Sequence, residues 1–218
     1  MPKKTFLQLD PEKRNRFLAV AMKEFSTKDF SKASISAIVD ELGIAKGSVY
    51  QYFKDKKDLY LHLLALAQQV KLSYVHQAMA DGYSDFWDLF EKMFASGIRF
   101  DLEHPRESGL LLLSSQEKQV PELAKQALAQ KKQAWEMMQG LLLQELEAGR
   151  LRTDLSVPFL AWQVIAVSVG IAEYLTLNYG VDYLENAKNN KPAYALSEAE
   201  IMETVRGMIA VLKKGISA

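Results

Sequence analysis

Residues 34–60 read SISAIVDELGIAKGSVYQYFKDKKDLY. Ser34 is placed to cap a short helix, its hydroxyl accepting from an orphan backbone N–H. Ile35, Ile38, Val39 and Leu42 recur at helical spacing and give that helix one apolar face. Gly43 stands where the chain must turn sharply, a conformation with positive φ that glycine alone adopts cheaply. Ile44 and Val49 are expected to lock a second helix against the first. The opposite face of that second helix carries Lys46, Ser48, Tyr50 and Gln51, and Gly47 lets its backbone come close to a large partner. A helix this short is not stable alone. The pattern is that of a helix-turn-helix, whose second helix lies in a DNA major groove. Lys54, Lys56 and Lys57 then cluster at the start of a third helix, where the macrodipole disfavours cations. Phosphate contact is a reason for them to stand there.

The charge distribution agrees. The 218-residue chain has a formal net charge of zero. Residues 1–57 hold 12 Lys and Arg against 7 Asp and Glu, a net +5; residues 58–218 hold 15 against 20, a net −5. A basic head on an acidic body suits a nucleic-acid reader with a separate sensing part. Cysteine is absent, which removes disulfides and thiolate metal sites and fits a reducing cytoplasm. Residues 1–16 are polar and charged and do not read as a signal peptide. The longest apolar run, Phe159 to Leu177, contains Gln163 and Glu173, so a buried helix is favoured over a membrane span.

No alternating run suggests a strand, and the expected fold is all-α with about nine helices. Asp10 and Pro11 open a helix running to Thr27, with Phe17, Leu18, Ala21 and Phe25 as its buried stripe. Lys3 and Lys4 precede it in an arm expected to be flexible and able to touch phosphate. Further helices are predicted over 55–80, 84–103, 106–116, 121–148, 156–179 and 197–214, with 180–192 a polar connection. Ser197 and Glu200 form a capping box. The helix before it is apolar nearly all round, which requires cover on every side.

With those residues in view, the segment Leu42-Gly43-Ile44-Ala45-Lys46-Gly47-Ser48-Val49-Tyr50-Gln51-Tyr52-Phe53, followed by Asp55-Lys56-Lys57-Asp58-Leu59, resembles the TetR family of bacterial transcriptional regulators. The likeness covers about fifty residues. Val39 and Leu42 replace alanines usual at the helix crossing, Ala45 replaces a capping serine, and Asp29 stands where the family often has glycine. The resemblance implies a three-helix DNA-binding domain over residues 1–57 and a helical ligand-binding and dimerisation domain over 58–218. It implies DNA contacts from Ser34, Ser36, Lys46, Gly47, Ser48, Tyr50, Gln51, Tyr52, Lys54 and Lys56. It implies a homodimer on a palindromic operator, built from the last two helices, with Phe159, Val167, Ile171, Ile201, Val205, Met208, Ile209 and Leu212 as candidate interface residues. A small-molecule effector is implied as well, held by the middle helices, with Trp87, Phe90, Met93, Phe94, Leu111, Trp135, Met138 and Trp162 as candidate lining. Aromatic and methionine stripes at helical spacing are ordinarily core, and His62, His76 and His104 are ordinarily plain helix or loop residues.

The implied activity is a cytoplasmic repressor released from DNA by an apolar or amphipathic ligand. An architectural DNA-binding dimer without a ligand is the alternative. An enzyme is not expected, since GxSxG, HExxH, P-loop and GxGxxG patterns are missing. No cofactor, metal or membrane partner is indicated.

Overall fold

The computed structural model describes residues 2–80, 82–191 and 196–217. The described residues form eleven helices: α1 (Lys4–Leu7), α2 (Pro11–Ser26), α3 (Ile35–Leu42), α4 (Lys46–Tyr52), α5 (Lys56–Ala80), α6 (Phe86–Glu103), α7 (Pro105–Ser115), α8 (Pro121–Glu147), α9 (Val157–Tyr179), α10 (Tyr183–Asn189) and α11 (Glu198–Ile216). The all-α expectation is met. The two extra helices, α1 and α10, replace segments expected to be irregular. Residues 3 and 4 are therefore no loose arm, because α1 is pinned by the burial of Phe6. The 180–192 connection is likewise structured through Asn189; Pro192 lies outside the described residues.

Local chemistry sets the ends. Asp10 caps α2 by accepting from the N–H groups of Glu12 and Lys13, with Pro11 at the first helical position. The expected capping box opens α11, with Ser197 and Glu200 satisfying each other's backbone. Asp55 accepts from the N–H of Asp58, whose carboxylate in turn accepts from Lys54 N, so the start of α5 carries its own acidic caps. Burial raises the Asp58 carboxyl most, but the Lys54 N–H together with nearby positive groups, His62 among them, outweighs it and holds the group below the usual carboxylate range.

The chain divides into two compact units. The first takes in Met1–Leu72, Glu103–Ala124 and Tyr183–Pro192. Its core is made by Phe17, Ala21 and Phe25 of α2, Ile38 of α3, Val49 of α4, Leu59 and Leu63 of α5, and Leu110 of α7. α7 and α10 both pack on α2. The contact is close because residue 109 is glycine: a Cβ there would lie 2.8 Å from the Ser26 carbonyl oxygen and 3.2 Å from the Ala187 Cβ. Arg106 Nε donates to the Ala187 carbonyl at 3.2 Å, fixing α10 against α7.

The second unit takes in Ser73–Leu102, Lys125–Asp182 and Ala193–Ala218. Phe90 and Ile98 of α6, Leu142 of α8, Leu160 and Leu175 of α9, and Val205 and Ile209 of α11 are buried in it. Arg206 Nε meets Glu91 at 3.0 Å, and Arg99 pairs with Glu198, so two surface ion pairs join α6 to α11. Such exposed pairs contribute little each. An isolated antiparallel bridge between Leu151 and Ser217 ties the segment after α8 to the end of α11.

α9 departs from the expectation of burial on every side. Leu160, Ala161, Val164, Ile171 and Leu175 face inward. Phe159, Trp162, Val169 and Leu177 on its other side are 43%, 55%, 72% and 78% exposed. Among the described residues α9 is the one helix long and apolar enough to cross a bilayer by length and composition. Its inward row, however, is packed as in a core helix, and Glu173 stands among the outward residues.

The Gly109 crossing predicts opposite effects for two glycine-to-alanine changes. Gly109→Ala should lower unfolding stability by about 1–3 kcal/mol, the usual cost of overpacking. Gly97→Ala, mid-helix in α6 with open space around the new methyl, should leave stability unchanged or raise it by up to about 1 kcal/mol. Urea unfolding of both variants checks the pair.

Candidate nucleic-acid interface

α3 ends in a Schellman turn. Gly43 takes φ 69° and ψ 33°, its N–H donates to Asp40 O at 3.3 Å, and Ile44 N donates to Val39 O at 3.1 Å. That turn delivers α4 across α3. Val49 is the plug, 1% exposed, as the sequence suggests. Ile44 is not: it is 36% exposed, because its place directly after the left-handed residue leaves it on the outer side of the turn. Val39 and Leu42 are accommodated at the crossing, Val39 being buried and Leu42 partly so. Asp29 needs no glycine-like backbone, since among the described residues Asn190 is the one non-glycine with positive φ; its carboxylate pairs with Lys32 at 2.8 Å.

The row from α3 to α4 comes together outside this core. Ser34 caps α3 by accepting from Ala37 N at 3.4 Å, and its own N–H donates to Glu24 at 2.8 Å. Lys46 Nζ donates to Ser36 Oγ at 3.1 Å, joining the first turns of the two helices. Gly47, Tyr50 and Gln51 are exposed and Ser48 is partly so. Ala45 occupies the N-cap of α4 without a side-chain bond, so the amides of that first turn face outward uncapped by it. Donors gathered at a helix N-terminus suit phosphate; Lys46, Ser48, Tyr50 and Gln51 carry hydrogen-bonding groups of the kind that base edges accept.

Other expected contacts have a second role. Tyr52 is partly buried, with its ring 5.7 Å from both Phe6 and Phe17. Lys56 lies over the Phe30 ring at 4.5 Å and donates to Ser31 O at 3.4 Å; burial lowers its pKa. Lys57 pairs with Glu122. These partners account for two of the three cations at the start of α5 without phosphate, while Lys54 is exposed. His62 packs its ring against Phe6 and Phe53, with centroids 6.1 and 5.5 Å apart. His104 lies 3.9 Å from Glu107, and His76 is exposed on α5.

The candidate effector residues are divided. Phe90 and Phe94 are buried on α6 with ring centroids 5.6 Å apart, and Trp87 and Met93 beside them are half-buried. Trp135 and Met138 are half-buried on α8, and Trp135 Nε1 donates to Pro158 O at 3.3 Å. Leu111 packs against the core of the first unit. Trp162 is on the outer side of α9, 5.8 Å from Phe159, and not among the α6 aromatics.

The candidate interface set is also corrected. Ile171, Ile201, Val205, Ile209 and Leu212 are buried within the subunit and are core residues. The outward apolar face is Phe159, Trp162, Val169, Tyr174 and Leu177 of α9 with Val211 of α11. Val167 and Met208 belong to it, lining a groove of about 580 Å³ together with Gly170, Tyr174, Tyr179, Thr204 and Gly207. The apolar row Ile201, Val205, Ile209 and Leu212 of α11 turns inward. The exposed row was legible only in the all-round apolarity of α9.

This geometry defines a helix-turn-helix protein with a helical body. Residues 17–63 match the family model described as bacterial regulatory proteins, tetR family. An HTH-type transcriptional regulator of Staphylococcus aureus (strain MRSA252) is 27% identical over 93 residues, 43% of this chain and 50% of the relative. The chain thus spans about half the length of that curated relative. A TetR-family regulator from Chloroflexus aurantiacus has the same fold along the whole chain, with TM-score 0.85, 27% identity, and coverage of 100% and 99% of the two chains. FadR from Bacillus subtilis, solved with stearoyl-CoA, shares the fold at TM-score 0.66 and 13% identity over 92% of this chain and 98% of its own. Residues 17–63 thus form a tetR-family helix-turn-helix domain, and the whole chain shares the fold of a TetR-family transcriptional regulator.

Two measurements test this local account. Ala45→Ser should add the missing cap of α4 and raise stability by about 1 kcal/mol in thermal or urea unfolding. Burial pushes the His62 imidazole below its ordinary value of 6.5, with the Asp58 carboxylate opposing. The unfolded state then takes up the proton more readily, so this contribution is present above the ordinary value and is lost as pH falls through it. The urea midpoint should fall between about pH 7 and pH 5, and His62→Gln should flatten that slope.

Proposed function

We propose that this regulator is a cytoplasmic repressor, two copies of which hold a palindromic operator until an apolar or amphipathic small molecule binds and releases them. The observation that carries the reading is the outward row Ser34, Ser36, Lys46, Gly47, Ser48, Tyr50 and Gln51, joined by the Lys46–Ser36 bond. It presents donors from two helix starts on one surface, as major-groove reading requires. Residues 1–57 are the reading part in this view, and 58–218 serve ligand binding and dimerisation.

Dimerisation is supported by the exposed row of α9 and α11. Contiguous apolar surface of this kind marks an interaction site, and outward residues 159, 162, 166, 169, 173 and 177 repeat at the spacing of a helix–helix seam. A second copy covers it and sets two reading helices on one duplex. The effector reading draws on the aromatic ladder of α6 and on the stearoyl-CoA carried by the Bacillus subtilis protein of like fold. Ligand binding would shift α5 and move the reading helices out of register; coupling of about 1–3 kcal/mol weakens DNA binding about 5–150-fold.

Selection of bound duplexes from a random pool is the test. It should return an inverted repeat whose half-sites lie about one helical turn apart or a multiple of it. A pool without consensus would instead support an architectural role. Tyr50→Ala and Gln51→Ala should each cost about 1–3 kcal/mol and relax the preference at one position of each half-site. Val211→Asp should turn the dimer into monomers by light scattering, and weaken operator binding with it. Among apolar and acyl-thioester compounds, at least one should release the DNA; unchanged affinity with every compound that binds would remove the release step.

A further inference from the structure

α4 has no local means of ending. The last four carbonyls of a helix lack intrahelical partners, and here no glycine follows to turn the chain back. Phe53 is extended instead, at φ −129° and ψ 155°. Its N–H takes the first of the four, Val49 O, at 2.8 Å. The other three are taken by residues nearly fifty positions earlier. Lys3 Nζ donates to Tyr50 O at 2.6 Å, the Thr5 hydroxyl donates to Gln51 O, and Lys3 N donates to Tyr52 O at 2.8 Å. Every orphan carbonyl of α4 is thereby accounted for.

The donors are themselves held. Phe6, 1% exposed, sits among the rings of Phe17, Tyr52, Phe53 and His62 at 4.9 to 6.1 Å. Arg14 reaches from α2 to donate to Leu7 O at 3.3 Å. A lysine ammonium at the C-terminal end of α4 also opposes the negative end of its dipole.

The geometry points to residues 3–6 as a positioning clamp for the reading helix. They terminate α4 and fix its last turn, where Tyr50 and Gln51 face outward, and Lys3 acts through α4 and not on phosphate. The effect on DNA rests on the reading proposed above; the clamp itself does not. Thr5 and Lys3 are therefore positioning residues, and the basic N-terminus contributes a cap where its sequence suggests a phosphate contact.

Two measurements on the full chain separate these possibilities. The first is amide hydrogen exchange of the free protein. Lys3→Met and Thr5→Val should each speed exchange in α4 and at Phe53 about fivefold, the effect of one lost hydrogen bond. Exchange in α6 should stay unchanged, and Lys3→Arg and Thr5→Ser should restore protection. The second is DNA affinity against salt. Lys3→Met should weaken binding about fivefold with an unchanged slope of log affinity on log salt, whereas Lys54→Met should reduce the slope by about 0.9, one phosphate contact. A slope loss of about 0.9 in Lys3→Met, or undisturbed exchange in both variants, would overturn the clamp. Should the wild-type protein prefer no sequence, the DNA reading falls while the exchange result still decides the clamp.

Discussion

A helix of seven residues does not hold itself together in water. α4 exists because its neighbours supply what its own sequence lacks. The Schellman turn at Gly43 sets its direction, Val49 anchors its underside, and Phe53 leads the chain into α5 through a cluster of rings. Donors from residues 3 and 5 close its far end. The surface it presents is thus a property of the whole first unit. That unit is completed by α7 and α10, chain segments far downstream of the motif, which pack on α2 through the contact that Gly109 permits.

The second unit is governed by a different constraint. α9 is apolar on more faces than its own chain covers. Its inward row makes core with α11, and its outward row, with Val211, leaves large side chains in solvent. On α11 the row Ile201, Val205, Ile209 and Leu212 is buried within the chain, while Val211 is exposed and lines the groove with Met208. The self-association proposed here therefore rests chiefly on α9, with α11 adding the small residue Gly207 and the flexible Met208 at the groove.

Much of the fold was legible because each signal was local. Asp10-Pro11, the Ser197–Glu200 box and Gly43 are start and stop marks that act within one turn, and the structure uses each of them. The exposed face of α4 was legible for the same reason, since Tyr50 and Gln51 stand away from the buried Val49. What stayed hidden depends on long-range contact. Phe6 is a lone aromatic in a charged stretch, and nothing adjacent reveals that it seats beside Phe53. The polar sequence of α10 gives little periodicity, and its burial of Ala187 depends on a glycine at position 109. Which apolar row of α9 faces inward cannot be read from a helix that is apolar nearly all round. Lys56 and Lys57 had plausible local roles, and tertiary neighbours gave them others.

The central claim is that the row built on α4 reads a DNA sequence. The most direct test is a salt series of binding to the duplex upstream of the protein's own gene and to a scrambled duplex of equal length. The account predicts a preference of about 10³ or more that persists at physiological salt. Equal binding to both, fading steeply as salt rises, would mean contact with the backbone alone and would contradict it.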